Sequence, residues 1–175
     1  MMDPLIILII SCGFAGLFLS AALKKLISFS IFKTTLEGYQ IIPVHLLLPV
    51  SIFVIICEFA LCGMWIIESL RPIAAIGSSL ILAMYGIAIG INLLRSRSHI
   101  SCGCGWNEQS LSWGLVSRNG VYILIVLSTL LPQINRQLEW IDFSLGVIAL
   151  TVALLLNRCA ETLIANSSNI ASWRQ

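Results

Sequence analysis

Charge is scarce in this sequence. Ten lysines and arginines and eight acids make up 10% of its 175 residues, where a soluble domain carries about 25%. Fifty-eight per cent of the residues are hydrophobic and the mean hydropathy is +0.98. So large an apolar surplus does not fit inside one small water-soluble core, and bilayer hydrocarbon is its natural solvent. A net charge of +2, with no basic cluster interleaved with aromatics, excludes nucleic acid as a partner. Absent too are a phosphate-cradling glycine loop, a Ser-His-Asp arrangement and an HExxH pair. The N-terminus lacks a basic stretch ahead of its first apolar run. Ser20, Ala21 and Ala22 offer a small-x-small pattern, but they follow a run long enough to help span a bilayer. The first segment therefore reads as a retained helix and not a cleaved signal.

What the chain does have is long apolar runs. A spanning helix needs about 20 mostly apolar residues, and five stretches approach that: 4–23, 44–67, 73–94, 115–131 and 141–157. They are unbroken and show no barrel-type alternation. The expectation is an all-α polytopic membrane helix bundle with about five transmembrane helices. It forms a single integral membrane domain over residues 1–175. Gly86 and Gly90, four apart and near Ser79 and Ala83, predict a close-packing face on the third helix. The five tryptophans fall mostly near predicted helix ends, as in an aromatic belt.

The longest polar break contains the motif HISCGCGW at 99–106. Cys102 and Cys104 stand one residue apart, each followed by glycine. A disulfide across one residue closes a strained ring, and strained exposed disulfides are the more oxidising ones. Gly103 and Gly105 ease the backbone angles. Arg95, Arg97 and His99 favour the thiolate, the reactive form. The pair thus reads as a thiol–disulfide exchange site. Two other readings stand beside it: a tight turn with incidental thiols, and a metal site using His99, Cys102 and Cys104. The metal reading is weak because Cys-x-Cys differs from the usual zinc spacing and no fourth ligand is visible.

Glu58 lies mid-membrane in the second run, where an ionisable group is costly and function is the default hypothesis. It is a candidate proton carrier, with a neutral acid bonded between helices as the alternative. Cys62 shares its face four residues on and is a candidate resolving thiol, although a buried cysteine is more often a small hydrophobe. Cys57 and Cys62, five apart, point to different faces. Arg118 is a candidate thiolate support. The plainer reading makes it an interfacial anchor, with Asn119 as a helix cap.

Three stretches resemble the MauE family of methylamine utilisation membrane proteins, related to the DoxX-like group. They are GYQIIP at 38–43, the acid of ICEFALCG around Glu58, and LLRSRSHISCGCGWNEQSLSWGLVSRN at 93–119. The likeness spans most of residues 5–131. The sequence departs from the family pattern at Gly105 and Trp106, where Phe-Gly is usual, and keeps both thiols. The resemblance implies an accessory role in maturing periplasmic methylamine dehydrogenase. The implied partners are that enzyme's disulfide-rich small subunit and the thioredoxin-like MauD. It implies either disulfide formation or export and processing of the subunit, so a non-enzymatic chaperone is the alternative to an oxidoreductase. A quinone is the candidate electron acceptor.

The loop charges bear on sidedness. With five helices, eight basic residues lie on the side of the Cys102–Cys104 segment and two, Arg71 and Arg136, on the other. The positive-inside rule then puts the dithiol in the cytoplasm, whereas disulfide supply to the periplasm would put it outside. The outcome depends on the number of helices ahead of the motif.

Overall fold

The computed structural model describes residues 2–96, 111–134 and 136–172, with side-chain surroundings through residue 164 and at 166. His99, Cys102, Cys104 and Trp106 lie outside the described residues. Six helices follow one another: α1 (Pro4–Ile27), α2 (Phe29–Gly38), α3 (Leu47–Ile66), α4 (Arg71–Leu94), α5 (Trp113–Ser128) and α6 (Trp140–Ser172). Four of them are long and apolar enough to cross a membrane, and α5 is a shorter apolar helix of 16 residues. The molecule is an all-α polytopic bundle.

Local chemistry explains the helix ends. Asp3 caps α1 by accepting a hydrogen bond from the Leu5 amide at 2.8 Å. Pro4 occupies the first turn, where its missing N–H costs nothing. Asp142 in the first turn of α6 reaches back to accept the Glu139 amide at 2.8 Å, the N3 half of a capping box. Short 3-10 turns at Val44–Leu46 and Glu68–Leu70 feed the chain into α3 and α4.

Two boundaries differ from the sequence expectation. The first helix, expected over 4–23, continues through Lys24 and Lys25 to Ile27. The last helix does not end near residue 157 but runs 33 residues to Ser172. The stretch between the first two apolar runs also contains an unexpected element, the ten-residue amphipathic α2. It follows a kink at Ser28 (φ −108°, ψ 44°) and leads back to the start of α3, so it makes no pass of its own.

Cross-links at the two ends of the bundle establish the order of passes. At the first end, Met2 pairs in a short bridge with the α5–α6 connection: its amide donates to Pro132 at 2.8 Å, and Ile134 donates to its carbonyl at 3.0 Å. Arg136 clasps the helix-capping acids there, at 3.4 Å from Asp3 and 2.7 Å from Asp142. The hydrogen bond to Asp142 raises the guanidinium pKa further above its ordinary value, so the clasp stays charged. At the second end, Tyr39, Ile89, Leu111 and Leu115 form a small apolar cluster, with Leu93, Val116 and Ile164 against it. Three passes, α1, α3 and α4, therefore precede residue 97, and both flanks of the 97–110 segment emerge at the second end.

The core lies between α1, α3 and α4. The buried stripe of α1 reads Ile7, Ser11, Phe14, Phe18, Ala22, Lys25, the three-four spacing of one helix face. Trp65 is fully buried, contrary to the aromatic-belt expectation. It stacks on Phe14 (centroids 5.8 Å) and donates its indole N–H to Ser78 Oγ at 2.9 Å. Trp113 and Trp140 are exposed at helix starts, as a belt requires. Phe14 also meets Tyr122 of α5 edge-on at 5.9 Å.

The expected small-residue face on α4 is only partly used. Gly86 lies against Asn119, whereas Gly90 has no neighbour within 4 Å of its would-be Cβ. The tight approach is instead at Gly77, where an added Cβ would come 2.8 Å from Leu61 Cδ2. That methyl is the flexible tip of a side chain. Gly77→Ala is therefore expected to cost no more than about 1 kcal/mol, and Gly77→Val about 1–3 kcal/mol by overpacking α3 against α4. Unfolding of both variants in a matched detergent series checks this.

Candidate functional site

The register of α1 and α3 brings two charges together inside the bundle. Lys25 falls three residues after Ala22 on the buried stripe of α1, and Glu58 falls three after Ile55 on that of α3. Antiparallel packing then sets Lys25 Nζ 2.6 Å from Glu58 Oε1, with the two side chains 2% and 1% exposed. Tyr85 of α4 donates its hydroxyl to the same oxygen at 2.6 Å. The ammonium also sits between two rings, 5.2 Å from the centroid of Tyr85 and 5.5 Å from that of Phe32 on α2. Four helices thus contribute to one cluster.

Desolvating a lone charge at this depth would cost several kcal/mol, and pairing with a hydrogen-bonded partner offsets that cost. Glu58 accordingly lies in an ion pair, which neither the proton-carrier nor the neutral-acid expectation included. Glu58 Oε2 is buried and receives no hydrogen bond from the described residues. Lys25 stands just past the expected first run, 4–23, and so was not expected inside the bundle. Its place on the Ser11–Phe18–Ala22 register was the available signal, masked by Lys24 beside it. Tyr85 carried no sequence signal beyond being a polar tip in an apolar run.

A second polar layer joins α5 to α6. Arg118 pairs with Glu161 at 3.3 Å and lies over the Tyr122 ring at 5.8 Å. Arg158 reaches the other oxygen of Glu161 at 3.5 Å, and the Tyr122 hydroxyl donates to Asn157. Arg118 and Asn119 are not in the first turn of α5. The N-cap is Ser112, so Asn119 caps nothing and is buried against α4. Glu161 was missed because the last helix was expected to stop before it.

The free thiols are dispersed. Cys62 is buried in the apolar core with Phe14, Phe18, Leu61 and Trp65, toward the first end of the bundle. Cys57 is half-buried, and Cys12 and Cys159 are exposed. Among the described residues no group of three His, Cys, Asp or Glu side chains converges to hold a metal ion. What the described residues show near the expected dithiol is its support. Tyr39 lies between the two flanks of the 97–110 segment, packed on Ile89, Leu111 and Leu115. Arg95 reaches the Gln40 carbonyl at 3.5 Å.

A family model described as methylamine utilisation protein MauE matches residues 3–132. The chain belongs to the MauE family. Among curated relatives, the methylamine utilization protein MauE of Paracoccus versutus is 32% identical over 165 residues, covering 92% of this chain and 88% of the relative. The protein of that name from Paracoccus denitrificans is 29% identical, covering 73% and 70%. That of Methylophilus methylotrophus is 26% identical, covering 89% and 82%. No solved structure matches the chain. The MauE match spans α1 to α5 and so includes both Lys25 and Glu58. Together with its apolar helices, this makes the chain a multi-pass bacterial membrane protein.

Proposed function

We propose that this chain serves methylamine utilisation as an accessory membrane protein. In this reading it matures the small subunit of methylamine dehydrogenase by thiol–disulfide exchange through Cys102 and Cys104, beside a thioredoxin-like partner. The observation that carries the reading is the platform at the second end of the bundle. The Tyr39 turn, Arg95 and Leu111 hold both flanks of the dithiol segment together there, and a fixed frame suits a reactive pair. In the exchange, a client thiolate attacks the Cys102–Cys104 disulfide and forms a mixed disulfide. The second client thiolate resolves it. The client loses two electrons and gains a disulfide, and Cys102 and Cys104 leave as thiols. Reoxidation needs a two-electron acceptor, for which a membrane quinone is the candidate class.

Deleting the gene is expected to abolish growth on methylamine, and Cys102→Ser with Cys104→Ser to reproduce that loss with the protein still present in the membrane. Active dehydrogenase at normal level in the double variant would overturn the exchange reading in favour of a chaperone or export factor. Direct exchange with an exported subunit also requires the second end to face the periplasm. Lys25 leaves the loop-charge count because it is buried in an ion pair inside the bundle, yet seven of the basic residues assigned to that side by the sequence remain against two for the other. That balance favours the opposite orientation. Labelling of Cys102 and Cys104 by a membrane-impermeant thiol reagent in intact cells is the expected result. Labelling only after permeabilisation would sink direct periplasmic exchange.

A further inference from the structure

The Lys25–Glu58–Tyr85 cluster is satisfied on one side only. Both of its donors converge on Glu58 Oε1, and the buried Oε2 has no donor among the described residues. A desolvated carboxylate oxygen without a donor is costly. What relieves the site is a small hydrogen-bond donor brought to Oε2 from outside. The element that closes over the cluster is α2, through the Phe32 ring on the Lys25 ammonium. Only Thr35 of its ten residues is buried. Its C-terminal end is held by the buried Tyr39, whereas its N-terminal half, from the Ser28 kink through Phe32, has little buried surface to hold it down.

We propose that the N-terminal half of α2 is a cover, hinged at Ser28 and latched by Phe32 on Lys25. It opens to admit water, or another small hydrogen-bond donor, to an acceptor position at Glu58 Oε2. The cluster is then an exchangeable polar site within the membrane and not a sealed structural ion pair. The inference uses none of the dithiol chemistry and stands apart from the function proposed above.

Hydrogen–deuterium exchange tests it on the full chain in lipid nanodiscs. The infrared difference between the unsubstituted protein and Glu58→Gln isolates the Glu58 carboxylate bands, which shift when the hydrogens bonded to them become deuterium. The expected result is a shift within minutes of transfer to D2O, accelerated about tenfold by Phe32→Ala through loss of the cation–π latch. Leu154→Ala, on the exposed face of α6, is expected to leave the rate unchanged. Bands that persist for a day would overturn the proposal, as would Phe32→Ala without effect or Leu154→Ala with an equal one. Amide exchange read by mass spectrometry needs no variant, should Glu58→Gln fail to fold. The amides of the N-terminal half of α2 are expected to exchange at least about tenfold faster than those of residues 54–62, and equal protection would refute the cover.

Discussion

Glu58→Leu destabilises the bundle by about 3–5 kcal/mol, whereas Lys25→Met combined with Glu58→Leu costs no more than about 1–2 kcal/mol. The asymmetry follows from burial. The ion pair has side-chain exposures of 2% and 1%, so removing the acid strands an ammonium inside the bundle. Two rings 5.2 and 5.5 Å away compensate that charge only in part, because a cation–π contact contributes about 1–2 kcal/mol. Removing both charges leaves apolar side chains of similar length in place of the pair and removes the acceptor of the Tyr85 hydroxyl's bond to Glu58. Unfolding of the two singles and the double in detergent, arranged as a double-mutant cycle, gives the coupling directly. A double variant as unstable as its worse single would show that the cluster's shape, not its charge pairing, holds α1 to α3. The function proposed for the chain makes a separate demand on the same variants. If the stable double variant matures dehydrogenase normally, the cluster is dispensable for activity.

Trp65→Ala is expected to be nearly as damaging, at about 3–5 kcal/mol. Trp65 is the largest fully buried side chain among the described residues. It carries the stack on Phe14 and lies where α1, α3 and α4 meet. Within a membrane the hydrophobic effect does not drive helices together, so dispersion contacts across this joint carry the association. Truncation opens a cavity that those three helices cannot all close. Trp65→Phe keeps a ring against Phe14 and loses the bond to Ser78 at 2.9 Å. Its expected cost is about 1–2 kcal/mol, because the freed serine hydroxyl can turn to a carbonyl of its own helix. Equal losses for alanine and phenylalanine would mean that the indole hydrogen bond, and not the packing, carries the joint.

Much of the architecture is legible in the residues because hydrocarbon imposes a simple rule. Long apolar runs must become helices that satisfy their own backbones, and the runs at 4–23, 44–67 and 73–94 reappear as α1, α3 and α4. The rule says less where a helix leaves the hydrocarbon. The sequence expectation ended the last helix near residue 157, although α6 continues through Arg158 and Glu161. It also passed over α2, which is too short and too polar to register as a span.

Glu58 stood out by chemistry alone, as the lone acid of an apolar helix. Its partner did not, because Lys24 and Lys25 are equivalent neighbours in the sequence and both resemble helix-end anchors. Only the rotation of α1 against α3 turns Lys25 inward. The same holds for Trp65, whose place near a helix end fits a belt residue or a core residue equally well.

By itself, then, the sequence determined the solvent, the class of fold and the family. These depend on composition, run length and local motifs, quantities that need no knowledge of what touches what. The tertiary structure alone decided that Lys25, Glu58 and Tyr85 form one site, that Phe32 of α2 lies against its ammonium, and that three passes precede the 97–110 segment. The physical reason is that ion pairing and coverage are properties of facing surfaces. A helix displays every one of its faces in the sequence and commits to one only when it packs.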